Sequence, residues 1–259
     1  MLSINNGFLG YYPTIRNILF NGSDDEKLYQ DNLKSQPNDW YYRTNQISYV
    51  YNNNGHRCND IEDIDLENYI LFAGCSHTEG IGLKLEDTYP YLLTQYFKCS
   101  YYNLALGGIG PDTMIYNIAT WFAKTKKLPK LLVVQWPHHI RIVIRDYSKS
   151  ENVDPIIWNT SGSWNADKNS DMSKFFVYGN SIKYFDSQRL LFKNLIKNIA
   201  PCPVLYVTTE NDQFLDGQVI LKQLDDARDI RPLGSHLGIK SQIYNSGLLY
   251  TEINNLLNN

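Results

Sequence analysis

A serine stands in the segment Gly74-Cys75-Ser76-His77-Thr78-Glu79-Gly80, directly after the apolar run Tyr69-Ile70-Leu71-Phe72-Ala73 and ahead of a helical pattern. In a tight strand-to-helix turn of this kind the backbone N–H groups point outward. Ser76 therefore combines a hydroxyl able to attack an electrophilic carbon with an amide proton able to receive the negative charge that forms, which is the chemistry of covalent acyl transfer. Two further loops hold groups of chemical interest. Gly107-Gly108-Ile109-Gly110 is a weak match to a dinucleotide loop, because the Gly-x-Gly-x-x-Gly spacing and the later ribose-binding acid are not in place. His138-His139-x-Arg141 invites a metal or phosphate reading. Adjacent histidines in a strand-exit loop point in different directions, and no Asp-rich or Cys-rich partner accompanies them. Neither a metal nor a cofactor is expected.

The elements that must position these loops follow from the periodicity. Tyr69 to Ala73 is a short apolar run ending at Gly74, as a buried strand of a parallel sheet requires. Glu86 to Phe97 carries Tyr89, Leu92, Leu93 and Tyr96 at helical spacing. Tyr101-Tyr102-Asn103-Leu104 predicts a second strand, Asp112 to Lys126 a helix with Asp112 as N-cap, and Leu131-Leu132-Val133-Val134 a third strand. A helix from Phe185 to Ile199, the strand Val204-Leu205-Tyr206-Val207-Thr208 and a helix from about Gly238 to Leu257 complete the alternation. Strands alternating with helices imply parallel βα crossovers, a sheet covered on both faces, and ligand sites at the carboxyl ends of the strands. The expected fold class is α/β, a three-layer sandwich on a central parallel sheet. The loops after Ala73, Leu104 and Val134 then share one rim.

Two regions break the pattern. Residues 1–68, rich in Asn, Tyr and Asp, predict an irregular N-terminal extension that wraps the core of a 69–259 domain. Residues from about 140 to 183 predict an inserted lid, whose Trp158, Trp164 and Tyr178 either form its small core or stack on sugar rings.

Composition narrows the function classes. With Lys+Arg 24 against Asp+Glu 27 the net charge is −3, so no overall basic field draws nucleic acid or anionic lipid. Cys58, Cys75, Cys99 and Cys202 are far apart and form no Cys-x-x-Cys pair, so reduced thiols are expected rather than a zinc ribbon or a disulfide framework. Met1-Leu2-Ser3-Ile4-Asn5-Asn6 lacks the basic segment and apolar run of a secretory signal, and no apolar stretch approaches the ~20 residues that span a bilayer. A cytoplasmic or virion-associated location is the expectation.

Gly74-Cys75-Ser76-His77-Thr78-Glu79-Gly80 resembles the first block of the SGNH (GDSL-type) hydrolases, with Cys75 in place of the usual Asp. Asn54-Gly55-His56-Arg57 is similar to a segment that precedes the first strand in many members, and Asn103-Leu104-Ala105-Leu106-Gly107-Gly108 is similar to the second block. His236-Leu237-Gly238, at the start of the last helical pattern, stands where the family places its catalytic base. The resemblance spans roughly residues 50 to 257. It implies a flavodoxin-like sandwich, Ser76 as nucleophile, His236 as base, and the N–H groups of Ser76 and Gly108 as an oxyanion hole. Two departures stand out. The family's acid lies three residues before the histidine, where this chain has Leu233, and Asp229 is the nearest acid. Asp229 would reach His236 only through a bulged loop, and it is as well placed to pair with Arg228 or Arg231. The family's third-block asparagine is missing; Gln135 offers the same amide on a longer stem, and His77, Trp136 and His138 are the remaining candidates for contacts with substrate.

The resemblance implies hydrolysis of an ester, such as an O-acetyl group on a carbohydrate or another acylated small molecule. Two other readings stay open: a degenerate relative that keeps the fold for binding or assembly, and acyl transfer to a sugar. The Asn, Tyr and Lys bias and the likeness to phage-encoded members add assembly into a viral particle, or a homo-oligomer, to the possible partners.

Overall fold

Tyr69-Ile70-Leu71-Phe72-Ala73 is buried along its whole length, as a strand covered on both faces must be. Its alternate side chains feed two separate cores. The computed structural model describes residues 2–11, 16–21, 24–137, 141–145, 158–162, 180–209, 217–231 and 235–258, and of 142–145, 158–162 and 180–186 the backbone. In chain order the elements are β1 (Leu2–Asn5), β2 (Phe8–Tyr11), β3 (Asn17–Ile18), α1 (Glu26–Ser35), β4 (Tyr49–Val50), β5 (Tyr69–Ala73), α2 (Ser76–Glu79), α3 (Tyr89–Phe97), β6 (Ser100–Asn103), α4 (Pro111–Lys124) and β7 (Leu131–Gln135). They continue with β8 (Arg141–Arg145), β9 (Trp158–Gly162), α5 (Asn180–Ile199), β10 (Val204–Thr208), β11 (Val219–Ile220) and α6 (Ile239–Asn258).

The central sheet is parallel, with the order β6-β5-β7-β10-β11. Numbered by sequence within the sheet this is 2-1-3-4-5, the flavodoxin-like order, and its switch point falls between β5 and β7. On one face Leu71, Ala73, Leu132 and Val134 pack with Met114, Ile118 and Trp121 of α4 and Ile196 of α5. On the other, Ile70, Phe72, Leu131 and Val133 pack with Tyr89 and Leu93 of α3 and Leu249 and Ile253 of α6. The result is the three-layer α/β sandwich expected from the alternation of strands and helices. Ser76 follows the carboxyl end of β5, at the switch point where such sheets bind ligands.

Several boundaries differ from the sequence reading. Gly110, not Asp112, is the N-cap of α4; Pro111 occupies the first turn, where its missing N–H costs nothing, and Asp112 Oδ1 accepts from the N–H of Thr113 at 2.8 Å. The N-terminal extension is not irregular. β1 and β2 form an antiparallel hairpin, β3 pairs with β4, and α1 is capped by Asp25, whose side chain accepts from the N–H of Leu28 at 2.6 Å. Leu2 and Phe8 lie in the main core. Within the insertion β8 and β9 pair with each other, and Trp158 of β9 pairs with Leu2 of β1, so extension and insertion share one antiparallel sheet. Trp164 and Tyr178 lie outside the described residues. Among the described residues no helix is long and apolar enough to cross a membrane, and all four cysteines are free thiols.

A buried ion pair ties the extension to the C-terminal third. Arg228 donates from Nε to both carboxylate oxygens of Asp24 at 3.1 Å and from Nη2 to Oδ2 at 2.7 Å, with both side chains almost wholly buried. Arg228→Ala would strand the Asp24 carboxylate in the interior, so unfolding free energy is expected to fall by about 3–5 kcal/mol. Urea denaturation measures this; a loss under about 1 kcal/mol would show that the pair contributes little.

Candidate active site

The turn that carries Ser76 is held by contacts from several elements. Cys75 caps the single-turn helix α2, and Gly80 closes it at φ 81°, in the left-handed region where a Cβ would also fall 2.2 Å from Thr88 Cγ2. At Gly74 a Cβ would meet Thr78 Oγ1 at 2.5 Å. The glycines that bound the motif are thus imposed by close packing. Arg57, buried against the Tyr49 ring, donates to the carbonyls of Glu79, Gly80 and Leu83 at 3.1, 2.6 and 2.7 Å. These include carbonyls that a one-turn helix leaves without partners. Asn103 Nδ2 donates to the Thr78 carbonyl at 3.0 Å, joining the carboxyl end of β6 to the same turn.

Gln135 is part of this brace. Its Oε1 accepts from the Cys75 N–H at 3.0 Å, the Cys75 thiol at 3.1 Å and Thr78 Oγ1 at 3.3 Å, while Nε2 donates to the Trp136 carbonyl at 3.0 Å. The Cys75 N–H can only donate, so it fixes which end of the amide faces the turn. Gln135 therefore orients the turn through its carbonyl, where the sequence suggested an amide donor to an oxyanion.

Glu79, three residues after Ser76, is fully buried and accepts from Tyr51 OH at 2.8 Å and Tyr11 OH at 3.1 Å. Burial raises its carboxyl above the usual range, and those hydroxyls and the charge of Arg57 offset this only in part. Tyr11 OH also accepts from the Gly107 N–H at 3.2 Å. Neighbouring Gly108 has φ 77° and is half-buried.

At the other end of the chain, His236 precedes α6 and Asp229 lies seven positions earlier. His236 Nδ1 sits 2.6 Å from Asp229 Oδ2, and the His236 N–H donates to Oδ1 at 3.2 Å. Asp229 is wholly buried and also meets Arg231 Nη2 at 3.1 Å; Arg228 pairs elsewhere. Burial alone would raise the Asp229 carboxyl, but its hydrogen bonds with His236 and the charges of His236 and Arg231 hold it below the usual range. An ionised carboxylate only accepts, so Nδ1 carries the proton and Nε2 is left as a basic nitrogen.

Ser76 and His236 line one cavity of about 330 Å³, together with Cys75, His77, Gln135, Arg141, Thr209, Leu221, Gln223, Ser235 and Leu237. Ser76 is 5% and His236 8% exposed, and no hydrogen bond joins them among the described residues. The His77 ring lies 5.2 Å from that of His236, and burial, then the charges of His236 and Arg141, push it down to about 3. His77 is a neutral wall of the cavity at ordinary pH. Trp136 is in the core, 4% exposed and edge-on to Tyr206, and Gly108 is likewise not among the residues of the cavity wall. His138 lies outside the described residues. The sequence reading missed Glu79, Tyr11, Tyr51, Thr209 and Gln223. Only Glu79 left a signal, as an acid on the same helical turn as the serine.

The protein is thus a flavodoxin-like sandwich with a serine at its switch point, whose cavity is shared by a histidine paired with a buried aspartate. No protein-family model matches the sequence, and no curated protein matches it. Among solved structures, a family 2 carbohydrate esterase with a carbohydrate binding domain from Corynascus thermopiles (Myceliophthora fergusii) is 12% identical over 74% of this chain and 67% of that one, with a TM-score of 0.44. An acetyl xylan esterase from the rumen bacterium Butyrivibrio proteoclasticus is 13% identical over 74% of this chain and 65% of that one, at TM-score 0.45. A psychrotrophic esterase from Pseudoalteromonas sp. is 12% identical over 74% of this chain and all of that one, at TM-score 0.43. The match thus spans about two thirds of the length of the first two.

Proposed function

We propose that this protein is a serine esterase of the SGNH type that removes O-acetyl or similar acyl groups from a carbohydrate. The observation that carries the reading is the shared cavity of Ser76 and His236, with His236 Nδ1 2.6 Å from a buried carboxylate. Ser76 Oγ attacks the acyl carbon as His236 Nε2 takes its proton, and Asp229 stabilises the imidazolium that forms. The imidazolium then protonates the departing alcohol. Water, deprotonated by His236, attacks the acyl-enzyme; the bond to Ser76 Oγ breaks, His236 returns the proton to that oxygen, and the acid is released. The N–H of Ser76 holds the oxyanion, and Gln135 keeps the turn in place; Gly108, off the cavity wall, takes no part in this scheme. No cofactor enters this scheme. The polar side chains of Thr209 and Gln223 in the cavity wall suit an alcohol rich in hydroxyl groups.

Release of acetate from an O-acetylated xylo-oligosaccharide, followed by proton NMR, tests the reading. Catalysed release is expected, with a larger kcat/KM than for p-nitrophenyl acetate. Acetate appearing on an added sugar acceptor in place of free acetate would make the protein an acyltransferase. No turnover of either ester would leave a binding protein.

A further inference from the structure

The acid of the candidate triad is gripped by the N-terminal extension. Asn32, on α1 and 8% exposed, donates from Nδ2 to the carbonyl of Arg228 at 3.0 Å and to that of Ile230 at 3.2 Å. These are the two residues flanking Asp229, so one amide group spans it from nearly 200 positions away. Arg228 is pinned again by its ion pair with Asp24 just before α1, and its N–H donates to the Gly82 carbonyl at 3.1 Å. Gly82 lies just beyond the nucleophile turn, and its own N–H donates to Tyr49 OH at 2.7 Å; that hydroxyl also bonds Asp24. The same short stretch of extension thus contacts the strap that bears the acid and, through Tyr49, the chain leaving the serine turn.

We infer that Asn32 is a positioning residue that holds the backbone on both sides of Asp229 and so sets the Asp229–His236 geometry; the inference rests on the esterase reading for its effect on turnover. An imidazole aimed by a carboxylate loses rate steeply when the pair shifts by a fraction of an ångström. With both flanking carbonyls held by one side chain, the Asp229 backbone is fixed on either side of the carboxylate. Nothing else among the described residues donates to those two carbonyls.

Asn32→Leu keeps the bulk and removes the donors. In the full-length protein it is expected to lower kcat about tenfold while KM stays within about twofold, and to shift or broaden the far-downfield proton signal of the Asp229–His236 hydrogen bond. Tyr29→Phe is the control: it removes another hydrogen bond of α1, a part-buried one from Tyr29 OH to the Tyr42 carbonyl at 2.8 Å, and should leave both readouts unchanged. Should Asn32→Leu fail to fold, Asn32→Ser is the milder form, with a smaller loss in the same direction. An unchanged kcat and proton signal in a folded Asn32 variant, or an equal loss in Tyr29→Phe, would overturn the inference. Wild-type protein without ester turnover would count against the esterase reading alone, and the proton signal would still decide the role of Asn32.

Discussion

Ser76→Ala is expected to lower kcat for ester hydrolysis by at least about a thousandfold and to leave the fold intact. The two halves of that result have separate causes. Activity falls because the hydroxyl is the only atom removed and it is the attacking one. Stability holds because the Ser76 side chain makes no hydrogen bond among the described residues, whereas its turn is maintained by Gln135, Arg57 and Asn103 through backbone atoms and through Cys75 and Thr78. The thermal midpoint should therefore stay within a few degrees of wild type while turnover disappears. Residual activity within about tenfold of wild type would mean that Ser76 is an ordinary member of the turn.

Asp229→Asn is expected to lower kcat by about a hundredfold to ten-thousandfold. An amide can present either its oxygen or its NH2 to His236 Nδ1. Oδ2 meets both His236 Nδ1 and Arg231 Nη2 while Oδ1 accepts from the His236 N–H, so an amide, with a single oxygen, must turn its NH2 either on the ring nitrogen and the guanidinium or on that backbone N–H. The imidazole loses the partner that keeps the proton on Nδ1 and that meets the positive charge formed during attack. The same change alters stability in a pH-dependent way. Burial acts to raise this carboxyl, but His236 and Arg231 hold it below the usual carboxylate range, so its stabilisation is fully present above the unfolded-state value and is lost as pH falls through the depressed one. Urea midpoints measured from about pH 7 down to about pH 3 should fall less steeply in Asp229→Asn than in wild type. Parallel curves would show that the contacts of Asp229 make no net difference to folding.

The sheet was legible because its strands are buried on both faces and read as unbroken apolar runs such as Tyr69–Ala73 and Leu131–Val134. The turn around Ser76 was legible because close packing dictates its glycines. His236 was marked by Gly238 and the helix behind it. The rest depended on contacts that no local pattern encodes. The contact of Asp229 with His236, seven positions on, follows no local spacing rule, and which end of Gln135 faces the turn is decided by Cys75 on a neighbouring strand's loop. Asn32 and Tyr11 matter through partners about 200 and 70 to 100 positions away. The extension read as irregular because strands of four and two residues are too short to show a period. Trp136 illustrates the opposite error, since an aromatic residue beside a rim loop has the same sequence appearance whether it faces a ligand or the core.

The most direct measurement of whether Ser76 and His236 act as one centre is peptide mass mapping after reaction with a fluorophosphonate. The adduct is expected on Ser76, with labelling slowed at least about a hundredfold by His236→Ala. A phosphonate on another residue, or labelling of Ser76 at the same rate without the imidazole, would contradict the proposed site.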